Sequence, residues 1–361
     1  MHITKESFMK YPALIIDKKK IEHNTSLLAD KCRKIGINVA AVSKVFCAIP
    51  EVAQAMIDGG AYMLADSRLR NLRKLQELGV PKMLLRIPMK SRADEVVDLC
   101  DVSLNSEIDT INALSEAAIR KNKVHNIIIM TDLGDLREGV WYEYLIDFVG
   151  QVIGLKGIRI QGIGTNLTCY GGVIPDANNL GKLVELVEQI EKRYNITIET
   201  VSGGNSSSLY LVFKNEMPKR INQLRLGESI ALGLETAFGE RIEGTYRDAF
   251  TLALEIIELK EKPSYPHGQI GMDAFGQKPV FEDKGIRLRG ILAAGRQDLN
   301  LSGIIPRDKG IKIIGGSSDH LLADFADCSH KYKVGDIVQF DLTYGGLLAA
   351  STSDYILKVI V

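Results

Sequence analysis

The chain predicts an α/β fold: an N-terminal (β/α)8 TIM-type barrel joined to a C-terminal all-β domain. Three observations carry that reading. Over residues 1–244, short apolar strands alternate with amphipathic helices about eight times, which is the barrel pattern. Beyond residue 245 helical periodicity nearly vanishes, and β-branched runs punctuated by Gly, Pro and Asp take over. A doubly wound sheet would need a Gly-rich turn after the first strand, and Asp17-Lys-Lys-Lys-Ile21 is not one.

Strands are predicted at residues 13–17, 38–42, 63–66, 83–87, 102–105, 126–131, 159–166, 199–202 and 223–226. The run at 38–42 has strand length and composition, and Pro50 opens a helix that reaches Gly59. Further helices are predicted over 68–78, 107–121 and 179–194. In the last of these Leu180, Leu183, Leu186, Val187 and Ile190 recur at helical spacing. In the second domain, 245–361, strands are predicted at 252–259, 286–294, 310–314, 337–342 and 355–361. Residues 1–12 are expected to pack with that domain. No internal repeat or low-complexity segment interrupts either half.

Composition narrows the function. The 361 residues carry 45 Lys plus Arg against 45 Asp plus Glu, so no basic field is available for nucleic acid or an anionic membrane. A small-molecule role is favoured. No stretch has membrane-spanning apolar character, and Met-His-Ile-Thr-Lys-Glu is not a signal peptide. Five scattered cysteines (Cys32, Cys47, Cys100, Cys169, Cys328) point to reduced thiols in a cytoplasmic protein, with no Cys-rich metal site.

The residues that carry chemistry sit at strand ends. Lys44, in Ala-Val-Ser-Lys44, stands where a barrel strand empties into its loop. A desolvated amine there can form a Schiff base; a solvated surface lysine is the plainer alternative. Ser202-Gly-Gly-Asn-Ser-Ser-Ser208 follows a strand and can cradle a phosphate through backbone N–H groups and hydroxyls, although most Gly/Ser loops are only loops. Arg225, in Arg225-Leu-Gly-Glu228, ends the next strand, where a guanidinium directed into a barrel mouth needs an acceptor. Arg137, in Asp132-Leu-Gly-Asp-Leu-Arg-Glu-Gly139, is a third cation of the same rim, or a solvated turn arginine. Together these groups imply pyridoxal 5'-phosphate far better than any one of them does.

On these residues the whole chain resembles the fold-type III pyridoxal-phosphate enzymes, the alanine racemase group. Ala-Val-Ser-Lys44 is similar to that family's Schiff-base lysine motif, and Asn205-Ser206 to its Asn-Ser phosphate step. Arg225-Leu-Gly227-Glu228 resembles its Arg-Pro-Gly segment, whose arginine hydrogen-bonds the pyridine nitrogen while the following amides reach the phosphate. Gly134-Asp-Leu-Arg137-Glu-Gly139 resembles Thr-Gly-Met-x-Arg-x-Gly, whose arginine lies near the phenolic oxygen. Thr352-Ser-Asp-Tyr355 resembles the stretch whose tyrosine approaches the phosphate.

Departures from the family are equally informative. Its Thr-His, whose imidazole packs on the pyridine ring, is Thr165-Asn166 here. The family's second acid/base is a tyrosine given by the partner subunit, and the corresponding Gly295-Arg-Gln-Asp298 has none. A substrate-contacting Ser-Met-Asp segment becomes Ser318-Asp319-His320. With Met272–Phe281 and Tyr332–Phe340, these features are similar to the ornithine racemase branch.

The resemblance implies a two-base racemase acting on ornithine, with Lys44 as one base and His320 the first candidate for the other; Tyr344 and Cys328 rank lower. A histidine satisfied in a turn is the plain alternative for His320. Asp298, Asp319 and Glu228 are candidates for holding a cationic side chain. The family's shared site implies a head-to-tail homodimer. Broader racemase activity on basic amino acids or alanine, a metal-assisted D-threonine aldolase or D-serine dehydratase-like lyase, and a non-catalytic pyridoxal-phosphate-binding protein are the competing functions. The lyase would use His320 with Asp324 or Cys328, but Leu321 and Leu322 break the expected short spacing.

Overall fold

The computed structural model describes residues 9–273 and 275–361. Residues 18–247 form one compact unit; residues 9–17 and 248–361 form another.

In chain order the elements are β1 (Ala13–Ile16), α1 (Lys18–Arg33), β2 (Asn38–Val42), α2 (Pro50–Asp58), β3 (Met63–Asp66), α3 (Leu69–Lys74), β4 (Lys82–Leu84) and α4 (Ala93–Leu99). They continue with β5 (Val102–Asn105), α5 (Ile108–Arg120), β6 (His125–Asp132), β7 (Val140–Trp141), α6 (Leu145–Val152), β8 (Ile158–Gly164) and α7 (Ala177–Tyr194). The first unit closes with β9 (Thr200–Ser202), α8 (Leu209–Lys214), β10 (Gln223–Leu226) and α9 (Glu228–Leu232).

Eight of these strands pair in parallel in the order β2-β3-β4-β5-β6-β8-β9-β10, and β10 returns to β2, closing the predicted barrel. The register sets Val42 beside Ala65 and Arg225 beside Ala40. Strand residues alternate faces, so Ala40, Val42, Met63, Ala65, Met83, Val102, Leu104, Ile128 and Met130 form one buried cluster within the barrel. Lys44 lies two residues beyond Val42. The alternate residues of β4, with α3, α4 and α5, build a second core outside it. Helix α7 begins with a full capping box, the Asp176 carboxylate accepting from the Asn179 backbone while Asn179 returns a bond to the Asp176 N–H. Its predicted apolar stripe, Leu180 to Ile190, is buried.

The second unit holds β11 (Phe250–Pro263), β12 (Ile286–Leu292), β13 (Ile304–Pro306), β14 (Lys312–Gly316), β15 (Leu321–Asp324), β16 (Ile337–Leu342), α10 (Tyr344–Thr352) and β17 (Leu357–Ile360). Its sheet runs β13-β16-β11-β12-β15-β14. The strand predicted first in the barrel series belongs here: β1 pairs antiparallel with β11 and parallel with β17. Eight other strands already close the barrel, so β1 has no edge to join there. Tyr344, ranked from sequence as a lesser candidate for the second base, opens α10. Among the described residues no helix is long and apolar enough to cross a membrane.

Candidate active site

The groups predicted in the first unit converge on the C-terminal ends of β2, β6, β8, β9 and β10, the face on which barrel enzymes build their sites. Lys44 opens a single 3-10 turn, Lys44–Phe46, directly after β2, and its side chain is exposed there. The two residues after that turn, Cys47 and Ala48, both have positive φ (56° and 51°). Side chains with a Cβ rarely adopt that conformation unless the surroundings hold it.

Arg225 is the buried centre of the mouth, at 4% exposure. It donates from Nη1 to the Ser202 hydroxyl, and from Nη2 to the Thr165 carbonyl at 2.7 Å and to Asn166 Oδ1 at 3.4 Å. All three acceptors are neutral. Burial is the main influence on the guanidinium and pushes its pKa down to about 10, with Glu138 and Cys169 acting against it. It therefore stays charged at neutral pH without a carboxylate as a hydrogen-bond partner.

Asn166 links this arginine to the next loop, because its Oδ1 also accepts from Asn205 Nδ2 at 3.0 Å. Asn205 donates as well to the Leu167 carbonyl at 2.9 Å, while its own Oδ1 accepts from the Ser207 N–H. The preceding Gly204 has φ of +110°, which only glycine adopts cheaply, and this turn opens the helical residues Ser206–Ser208. Ser206 Oγ lies 3.0 Å from Ser229 Oγ and accepts from the Ser229 N–H at 3.2 Å, which ties the β9 and β10 loops together. Gly227 lets the β10 loop approach β2: a Cβ there would meet Val42 Cβ at 3.0 Å.

Glu228, half-buried, is raised by burial above the usual carboxylate range, with the nearby Lys44 ammonium opposing that shift. Arg137 is more exposed than Arg225 and pairs with its neighbour Glu138. The sequence reading did not single out Cys169, which accepts from Asn166 Nδ2 at 3.0 Å and from Asn205 Nδ2 at 3.5 Å. It also missed Asp135, a 1%-exposed carboxylate that accepts from the N–H groups of Cys169, Tyr170 and Val173. A cysteine three residues past Asn166 was visible in the sequence; what Asp135 holds depends on two loops packing together.

The remaining candidates lie in the second unit. Ser318-Asp319-His320 is the turn between β14 and β15, where all three side chains are exposed and Ser317 Oγ sits 3.3 Å from His320 Nδ1. Asp298 is buried and accepts from the Ser353 hydroxyl at 2.6 Å. Tyr355 is exposed just before β17, and its N–H donates to Ser353 Oγ. Asp324 is bound to Arg287 at 2.8 Å, and Cys328 is half-buried with its thiol pushed up to about 11, chiefly by burial.

This arrangement can bind an anion beside the serines, hold an acceptor against Arg225 and offer an amine at Lys44. Comparison with known proteins agrees. The family profile described as "Alanine racemase, N-terminal domain" matches residues 16–234. Ornithine racemase of Acetoanaerobium sticklandii is 49% identical over 96% of this chain and 99% of its own length. Lysine racemase of Thermotoga maritima is 40% identical over 97% and 99%. Among solved structures, alanine racemase from E. faecalis superposes with a TM-score of 0.72 at 18% identity, covering 98% of this chain and 99% of that one, which speaks for the fold. From the profile match and the two full-length relatives, the chain belongs to the alanine racemase family.

Proposed function

We propose that this protein is a pyridoxal-phosphate-dependent racemase that interconverts L- and D-ornithine. The observation that carries the reading is the buried Arg225, charged and met only by neutral acceptors, at the mouth that also holds Lys44 and the Ser206–Ser229 pair. That donor set suits the cofactor: a cation for the ring nitrogen, hydroxyls and backbone N–H groups for the phosphate, and an amine for the aldehyde. When bound, pyridoxal phosphate supplies an electron sink that acidifies the α-hydrogen of an attached amino acid.

Lys44 would hold the cofactor and would move a proton at its Nζ on one face of the substrate's Cα. Arg225 remains protonated and can only donate, so a ring nitrogen held against it would stay an acceptor, a weaker sink that suits simple proton return over side reactions. Asn205, Ser206 and the amides at Gly227 and Glu228 would hold the phosphate, and Tyr355 is assigned to it as well. Asn166 would face the ring and Arg137 the phenolic oxygen. The relatives' names, ornithine and lysine racemase, point to a substrate with a cationic side chain. Glu228, Asp298 and Asp319 are the carboxylates assigned to that ammonium. His320 is assigned the proton on the opposite face, reached across a head-to-tail homodimer with a shared site.

The test is incubation of the cofactor-loaded protein in deuterium oxide with L-ornithine, L-lysine, L-alanine or D-threonine. Chirality and α-deuterium of the recovered amino acid are then measured. D-ornithine carrying α-deuterium, with alanine turned over slowly, is expected. Racemisation of alanine alone would remove the ornithine assignment. Retro-aldol products from D-threonine would replace the racemase by a lyase.

A further inference from the structure

Asp66, the last residue of β3, is fully buried, yet its hydrogen-bond donors are all neutral. Its Oδ2 accepts from the Ser43 hydroxyl at 2.7 Å. Its Oδ1 accepts from the Arg68 N–H at 2.9 Å and from Asn71 Nδ2 at 3.1 Å. Burying a carboxylate without a cation is expensive, and a small apolar residue at this strand end would pack at lower cost. The group behind that cost is Ser43, the residue immediately before Lys44.

Ser43 is itself fully buried and tied at every polar atom. Its N–H donates to the Ala65 carbonyl at 2.9 Å, its carbonyl accepts from the Ala48 N–H at 3.1 Å, and its hydroxyl donates to Asp66. The end of the strand sets the geometry. Ala40 and Val42 point into the barrel, and Ser43, already in helical backbone (φ −92°, ψ −3°), turns its hydroxyl to Asp66, while Lys44 beyond it lies near Glu228 just past the end of β10. The strained pair Cys47 and Ala48 closes the turn, with Lys74 Nζ donating to the Cys47 carbonyl at 2.8 Å. The backbone carrying Lys44 is thus gripped from behind and bent in front.

We propose that Asp66 is a positioning residue for Lys44, acting through the Ser43 hydroxyl to fix the backbone from which the amine reaches into the barrel mouth. The inference rests on Lys44 being the cofactor's attachment point. An amine that must serve both the cofactor and a substrate proton tolerates little error in placement, because a shift of about 1 Å can cost about a hundredfold in rate. Asp66 touches neither cofactor nor substrate in this scheme.

The experiment compares the full-length wild type with Ser43→Ala, Asp66→Ala, Asp66→Asn and Ser43→Thr. The readouts are the rate at which the visible band of bound pyridoxal phosphate develops after mixing with cofactor-free protein, then kcat and KM separately. Borohydride reduction and peptide mapping of the wild type, with Lys44→Ala as control, locate the attachment point. Ser43→Ala and Asp66→Ala are expected to slow attachment and kcat at least about tenfold with KM within about threefold. Ser43→Thr, which keeps the hydroxyl, is expected to restore most of both. Attachment and kcat at the wild-type level in Ser43→Ala would overturn the proposal even if Asp66→Ala fails to fold, and so would failure of Ser43→Thr to recover. Asp66→Asn, which preserves the shape, carries the test at that position, and an attachment rate and kcat like those of the wild type would show that shape suffices and overturn the need for the carboxylate. A reduced tag on a residue other than Lys44 would instead overturn the attachment reading beneath it.

Discussion

Arg225 shows how one residue type can be fixed by its surroundings. Its fork reaches a serine hydroxyl, a backbone carbonyl and an amide oxygen from three directions at once, which no single-point cation can do. In Arg225→Lys the ammonium reaches at most part of this set, leaving buried acceptors unpaired at about 1–3 kcal/mol each. The expected result is a loss of about 2 kcal/mol in urea unfolding and of about a hundredfold in kcat, with KM for the amino acid little changed. Steady-state kinetics and a urea titration check both. A kcat within about twofold of wild type would remove Arg225 from the machinery.

At the scale of elements, two loops share one clamp. The Asp135 carboxylate, in the loop after β6, accepts three N–H groups from the loop after β8, and Gly171 N–H adds a bond to the Asp135 carbonyl at 3.1 Å. Thr168 and Leu136, both with positive φ, mark the strain that this docking holds. Asp135→Ala leaves those donors unpaired. It is expected to weaken cofactor affinity about tenfold, because Asn166 and Cys169 ride on the released loop, and fluorescence titration with pyridoxal phosphate measures it. The same contrast explains what the sequence disclosed. The buried stripe of α7 was legible because Leu180 to Ile190 repeat at 3.6 residues, and Lys44 and Arg225 were legible because polar groups ended apolar strands. Helix α10 was not: Tyr-Gly-Gly-Leu-Leu-Ala-Ala-Ser-Thr has two glycines and apolar or small residues all round. The partners of β1 were hidden because pairing between distant strands leaves no local mark. Asp135, Ser229 and Asp66 escaped because their value lies in what folding brings beside them.

For the molecule as a whole, acid and base balance at 45 each at neutral pH, and the pH dependence of stability below it is the sum over single titrating sites. One such site lies at the other end of the barrel. His125, the first residue of β6, is 3% exposed, with Nε2 placed 2.8 Å from Ser103 Oγ. Burial is the largest influence and pushes its pKa down to about 4; Asp101 opposes it and Lys123 adds to it. The folded state therefore holds this imidazole neutral, whereas the unfolded chain protonates it near the ordinary value of about 6.5. Between those two values the unfolded state binds more protons, so the stability contributed by this group is complete above about pH 7 and drains away as pH falls toward about 4. From pH 6.5 to pH 4.5 the loss amounts to about 2 kcal/mol. His125→Gln, which cannot titrate, is expected to lose about 2 kcal/mol less than the wild type over that interval, whatever its stability at pH 7. Urea unfolding of both proteins at the two pH values measures the difference. Parallel losses would mean that the imidazole is already charged, or already solvated, in the folded protein.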